Sequence, residues 1–428
     1  VLVLAASCGS PSPGSGPAPD APPGEGHELS IALFRHAPFA DGDTENALVV
    51  AIQDGDGAWT TITAERGVYR AHLASERYGV TIACRTGGSA RVSVFQRTVA
   101  DGLDLRTRSC GSDAIELDVA VRHVPERSIA YVSTAAGLSG GGDATYAFFA
   151  QPGPADLFAS LTDNAGRIAK LVRVPSFDLQ ARQAIAIDFA TQGAAPDERT
   201  LSIALGPADR ARVTTSVIRP TGEYPLHAPA ALGTPPTYQV MPLALWEADD
   251  LFSVTVAVGA VSSSVTSRVP GPLAFQLAPS ITAQDPAIVT APFVHPAFSF
   301  TTAATELPIQ TYVLSARTAN APETAAREWS AELSASWLAG ASLVRYDFPD
   351  LSAVVGFVPE LALFDRGPIR WSVRRSEAST VGPSDGRIVR SAVQTGVIDA
   401  YCGDHVVQPP ETCDPPDGSA CAASCTKL

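Results

Sequence analysis

The sequence predicts a mainly β protein built from tandem antiparallel β-sandwiches. Three observations carry that expectation. Short runs rich in β-branched and aromatic residues recur at intervals of about ten residues. Clusters of Asp, Gly, Ser and Pro separate them. Helical periodicity is scarce throughout.

The 428 residues are too many for one ordinary core. A hydrophobic share of 45% with a charged share of 17% is a folding composition, so several packed domains are expected. The net charge of −14 repels phosphate backbones and excludes nucleic acid as a partner of the whole protein. Lysine occurs only as Lys170 and Lys427, so the positive charge is almost all arginine.

The first body domain, 28–111, has the clearest pattern: Leu29–Phe34, Ala47–Ile52, Trp59–Thr63, Val68–Leu73, Tyr78–Cys84, Ala90–Gln96 and Leu103–Cys110. Seven short strands of this kind form two packed sheets, of the immunoglobulin-like or a related type. Domain 112–197 repeats the style with Ile115–Val121, Ser128–Ser133, Ala144–Ala150, Asp156–Leu161, Arg167–Val174 and Ala184–Phe189, placing Gly140–Gly142 at a turn. Domain 198–282 offers Leu201–Leu205, Arg212–Val217, Thr237–Met241, Leu251–Val258, Ser263–Val269 and Leu273–Leu277. Domain 283–400 offers Ile309–Arg317, Trp329–Leu333, Leu343–Tyr346, Ile369–Arg374 and Arg387–Val393, and also reads as one unit with 198–282.

At the start, Val1-Leu2-Val3-Leu4-Ala5-Ala6-Ser7 ends in small residues before Cys8. This resembles the lipobox of bacterial lipoproteins, with Ala5 where that family usually has Leu. The resemblance implies that 1–7 is a signal-peptide remnant and that Cys8 is acylated. Residues 8–27 then form an anchor and a Pro/Gly/Ser tether, since Gly9–Gly26 holds no apolar side chain larger than Ala. Several acyl chains on one residue anchor far more firmly than one. The expectation is an exported protein, anchored by lipid to the bacterial outer membrane or cell surface.

Seven cysteines become six without Cys8, an even set that reads as disulfides in an exported chain. A Cys84–Cys110 bridge would close a loop of about 25 residues, worth roughly 3–4 kcal/mol on the chain-entropy estimate. Cys402, Cys413, Cys421 and Cys425 lie in 401–428. There Cys402, Gly403, Asp404, Val406, Val407, Glu411, Cys413 and Asp414 resemble the Myxococcus-type cysteine-rich repeat, with His405 replacing its usual Gly. The resemblance implies two disulfides in a small C-terminal knob and export from a myxobacterium or a close relative; it leaves the connectivity open.

No catalytic, metal or cofactor site is assigned. The seven histidines are scattered, and neither His-Glu-x-x-His nor Gly-x-Ser-x-Gly occurs. Asp54-Gly55-Asp56-Gly57 reads as a hairpin turn ahead of a calcium loop. Trp329, Trp337 and Trp371 fall in the last third, and the even spacing of the first two puts them on one face of any strand holding both. Exposed, they would stack on sugars; buried, they fill a core, and the core reading is the stronger. The expected role is therefore non-enzymatic: adhesion, recognition or structural display, with an envelope protein or a polysaccharide as partner. The alternative is a carbohydrate-binding or polysaccharide-active protein using those tryptophans.

Overall fold

The computed structural model describes residues 26–34, 47–65, 68–86, 89–108, 115–135, 137–150, 152–206, 209–289, 295–304, 306–318, 326–358, 361–363 and 368–398. Cys8, Cys110 and the cysteines of 401–428 lie outside these, and so does the expected knob. Cys84 is disulfide-bonded and buried in the first core.

The described chain is almost entirely strand. The first group is β1 (His27–Phe34), β2 (Ala47–Asp54), β3 (Thr60–Thr61), β4 (Ala64–Glu65), β5 (Val68–Leu73), β6 (Arg77–Thr86), β7 (Ser89–Thr98) and β8 (Asp104–Arg108). The second is β9 (Ile115–Arg122), β10 (Ile129–Thr134), β11 (Gly137–Gly141), β12 (Ala144–Ala150), β13 (Gly153–Thr162), β14 (Ile168–Leu179) and β15 (Gln183–Asp188). The third is β16 (Asp197–Ile203), β17 (Ala211–Arg219), β18 (Gly222–Pro225), β19 (Ala230–Ala231), β20 (Thr237–Val240), β21 (Leu251–Val258), β22 (Val261–Ser267) and β23 (Leu273–Phe275). The fourth is β24 (Ala287–Val289), β25 (His295–Thr301), β26 (Ile309–Thr318), β27 (Arg327–Ser334), β28 (Leu343–Asp347), β29 (Ile369–Ala378) and β30 (Ile388–Ile398).

One connectivity recurs. In the first sandwich β1 pairs antiparallel with β5 and parallel with β8, while β2 pairs with β3 and β6, and β6 with β7. The second repeats this with β9, β12 and β15 against β11, β10, β13 and β14. The third repeats it with β16, β20 and β23 against β18, β17, β21 and β22. The fourth has β25 on β28, and β27-β26-β29-β30 as the larger sheet; no closing parallel strand is among its described residues.

These sandwiches are not beads on a string. A 13-stranded sheet runs through three of them, joined where β7 pairs parallel with β27 and where β22 pairs antiparallel with β30. The sheet's first-sandwich part is buried on both faces. Val50, Val80, Ile82 and Phe95 point to the core shared with β1 and β5. Val49, Ala51, Val92 and Val94 point to a second core with Phe298, Tyr312, Leu314 and Trp329. Burial on both faces is why Ala47–Ile52 reads as an unbroken apolar run where an alternating one would serve a single core. The second and third sandwiches also share a core, in which Phe158, Ile168 and Leu171 pack with Val217, Tyr224 and Phe252.

One of two local expectations needs correction. Gly140 and Gly141, expected at a turn with Gly142, belong to an edge strand, Gly137–Gly141: Gly140 lies opposite Tyr131, where an added Cβ would sit 2.5 Å from the ring. The glycine lets the aromatic ring fold across the strand, and the turn itself falls at Gly142–Asp143. Asp54–Gly57 does form the expected hairpin, with Gly55 at φ 59° and the Asp54 carboxylate accepting from the Ala74 and Ser75 amides at 2.8 and 2.9 Å. Those bonds hold its carboxyl below the usual range against the raising effect of burial.

Candidate functional site

The tryptophan platform of the alternative reading does not form. Trp329 is 0% exposed, its Nε1 donating to the Leu361 carbonyl at 2.8 Å and its ring meeting Phe348 edge-on. Trp371 is buried with its Nε1 donating to Asp285. β27 ends at Ser334, so Trp337 falls in the following turn, half-buried with the Arg77 guanidinium 4.7 Å above its ring. Trp329 and Trp371 serve packing from inward strand positions between the sheets, and Trp337 packs beside them from the turn.

The opposite side of the same strands carries polar chemistry. Along β26 the inward residues are Tyr312, Leu314 and Ala316, which leaves Thr311, Val313, Ser315 and Arg317 outward. Along β29 the outward set is Arg370, Ser372, Arg374 and Ser376. Pairing register then aligns these sets into rows, since directly opposed residues share a face. One row is Ser93, Ser330, Ser315, Ser372 and Thr395, across β7, β27, β26, β29 and β30. Another runs Thr311, Ser376, Ser391 and Ser262 into the third sandwich, where Thr214, Thr255 and Ser264 align in turn. Hydroxyls within rows bond to one another: Ser315 to Ser372 at 2.7 Å, Ser330 to Ser93 at 3.2 Å, Ser376 to Ser391 at 3.3 Å. Between the hydroxyls stand the exposed Arg317, Arg370 and Arg374, with half-buried Val313 and Val393 beside them. Among the described residues no second sheet lies over β26, β29 and β30 on this side.

Two other polar features lie where the second and third sandwiches meet. The first is a buried ionic knot. Asp250, with its side chain 0% exposed, accepts from Arg173 Nη1 and Arg219 Nη1, both at 2.6 Å, and from the Glu247 amide at 2.9 Å. Asp156 accepts from Ser176, Thr221 and Arg219. These partners hold the Asp156 carboxyl below its usual range although burial raises it. Every buried charge here has a partner of opposite sign, the arrangement expected of a structural clasp.

The second is a cavity of about 500 Å³ bordered by Arg167, Glu198, Val213, His227, Pro235 and Tyr238. His227 is buried, and its Nδ1 donates to the Ala228 carbonyl at 2.6 Å, so Nε2 is left as an acceptor. Burial pushes this imidazole below the usual histidine pKa, against the raising effect of that hydrogen bond.

No protein-family model matches the chain, and no curated protein matches it. Among solved structures, the chain is similar to the chicken CNTN1 FN1-FN3 domains at 10% identity. That match covers 76% of this chain and 95% of the other, with a TM-score of 0.14, too low to carry an argument.

Proposed function

We propose that the protein is a cell-envelope display protein that acts by recognition and not by catalysis, held to a membrane through an acylated Cys8. The observation that carries this reading is the outer face of the fused sheet. It is an array of aligned hydroxyls and unroofed arginines on a body stiffened by strand pairing between sandwiches. An open sheet face makes contacts with an extended partner, whereas small-molecule sites are concave. The Pro/Gly/Ser tether after Cys8 supports a place at a surface, because such a segment lifts a folded body away from its anchor. The even cysteine set left without Cys8, with Cys84 disulfide-bonded, supports an oxidising compartment.

Mass spectrometry of the mature N-terminus, together with protease shaving of intact cells, tests this. Acylated Cys8 and release of body peptides by external protease are the expected results. An unmodified terminus downstream of Cys8, or full protection from protease, would overturn the anchored display.

A further inference from the structure

We infer that the outer face of the fourth sandwich binds an acidic polysaccharide along β29 and β26, with Arg317, Arg370 and Arg374 as its anion-binding groups. The inference rests on the display reading above and adds the chemical class of the partner.

The charge pattern is the first argument. The protein carries a net charge of −14. Among the described residues this face runs the other way: Arg317, Arg370 and Arg374, with Arg91 and Arg97 at its first-sandwich end, stand against Glu328, Glu332 and Asp101. Glu332 is already engaged by Arg97 at 2.6 Å. Arg317, Arg370 and Arg374 are exposed and have no ion pair or hydrogen bond among the described residues, Glu328 opposite Arg317 included. Arg317 and Arg370 are also direct cross-strand partners. Like charges so placed oppose each other and destabilise the sheet. A bound anion between them removes that repulsion and takes charge-assisted hydrogen bonds from both guanidinium groups.

The second argument is repetition. Along β29 the outward side chains alternate Arg370, Ser372, Arg374, Ser376. Same-face neighbours on a strand lie about 6.8 Å apart and adjacent strands about 4.8 Å apart. The face is therefore a lattice of cations and hydroxyls, suited to a polymer that alternates acidic groups with neutral hydroxyls. Ser315, Ser372 and Thr395 both donate and accept, which matches sugar hydroxyls. Val313, Val393 and Val397 offer apolar contact between the polar rows, Val397 being 47% exposed. A folded protein partner would require a larger apolar centre than these scattered valines provide.

The test is biolayer interferometry with the full chain on immobilised hyaluronan, dextran sulfate and neutral dextran, at two salt concentrations. The wild type should bind the two acidic polymers, more weakly at high salt, and ignore the neutral one. Arg317→Ser/Arg370→Ser/Arg374→Ser should lose at least tenfold in affinity with a Tm no lower than the wild type's, since the repulsion between Arg317 and Arg370 is relieved. Arg70→Ser/Arg182→Ser, two exposed arginines elsewhere, should leave binding within twofold. Equal binding by the triple variant and the wild type would overturn the proposal, as would absence of binding to both acidic polymers. Binding to anionic phospholipid vesicles with no polysaccharide binding would assign the face to a membrane and also overturn it. None of these results alters the Cys8 and protease-shaving outcomes, so failure of the ligand class is distinguishable from failure of the display reading.

Discussion

Asp250→Ala should be among the most damaging single substitutions in the body. The carboxylate is fully buried and joins Arg173 of the second sandwich to Arg219 of the third, whose own side chains are only 5% and 11% exposed. Removing one partner of a buried pair typically costs about 3–5 kcal/mol, because the remaining charge stays desolvated. Here the loss should fall near the lower end, about 3 kcal/mol, since other acids remain in reach. Glu247 still lies 3.0 Å from Arg173 and 2.8 Å from Arg219, and Asp156 lies 3.4 Å from Arg219. Urea unfolding followed by the fluorescence of Trp246, which packs on Phe252 in the shared core, would read the change. Acid should erode the same clasp. The Asp156 carboxyl is held below its ordinary 3.8, so its contribution is complete above that value and is lost as pH falls through the folded-state pKa. A loss below 1 kcal/mol on Asp250→Ala would refute the view that this knot clamps the two sandwiches together.

Two further predictions concern the fused sheet. Gly396 lies opposite Trp371, where an added Cβ would sit 2.6 Å from the indole; Gly396→Ala should cost about 1–3 kcal/mol in thermal unfolding, with Thr395→Ala on the outer face near neutral. Asp101 accepts from Ser334 at 2.7 Å and Ser336 at 2.6 Å across the seam between the first and fourth sandwiches. With the Thr98 hydrogen bonds these hold its carboxyl below 3.8 despite the raising effect of burial. Asp101→Ala should lower stability by about 1 kcal/mol at neutral pH, and its difference from wild type should shrink as pH falls through the folded-state pKa. A difference that persists unchanged in acid would show that the carboxylate contributes nothing to the seam.

Much of the strand content was legible because each strand carries its own signal. Val68–Leu73 alternates, and Tyr78–Cys84 is apolar and β-branched between turn residues. His295–Thr301 was not recognised: Pro296 argues against a strand, yet here it sits at the start of β25, beside the short β24, where a missing amide costs little. Gly137–Gly141 was missed because its glycines serve packing under Tyr131, which no local pattern reports. The candidate face was illegible for a different reason. Serine and arginine on alternate positions are an ordinary solvated strand until register aligns them. That register joins residues as distant as Ser93 and Ser330, which only the β7–β27 pairing brings together. The tryptophans were read more readily, since a large apolar ring on a sandwich strand favours the core, where Trp329 and Trp371 lie.

The central claim is that one continuous sheet joins the first, third and fourth sandwiches into a single body, and that claim stands on the two seams where β7 meets β27 and β22 meets β30. Hydrogen–deuterium exchange of the full chain tests it directly. Paired seam strands should protect amides in Arg327–Leu333 and Val261–Val265 as strongly as those in the interior pair β26 and β29. Seam amides exchanging as fast as those of the short edge strand β24 would show separate sandwiches with free edges, and would contradict the account.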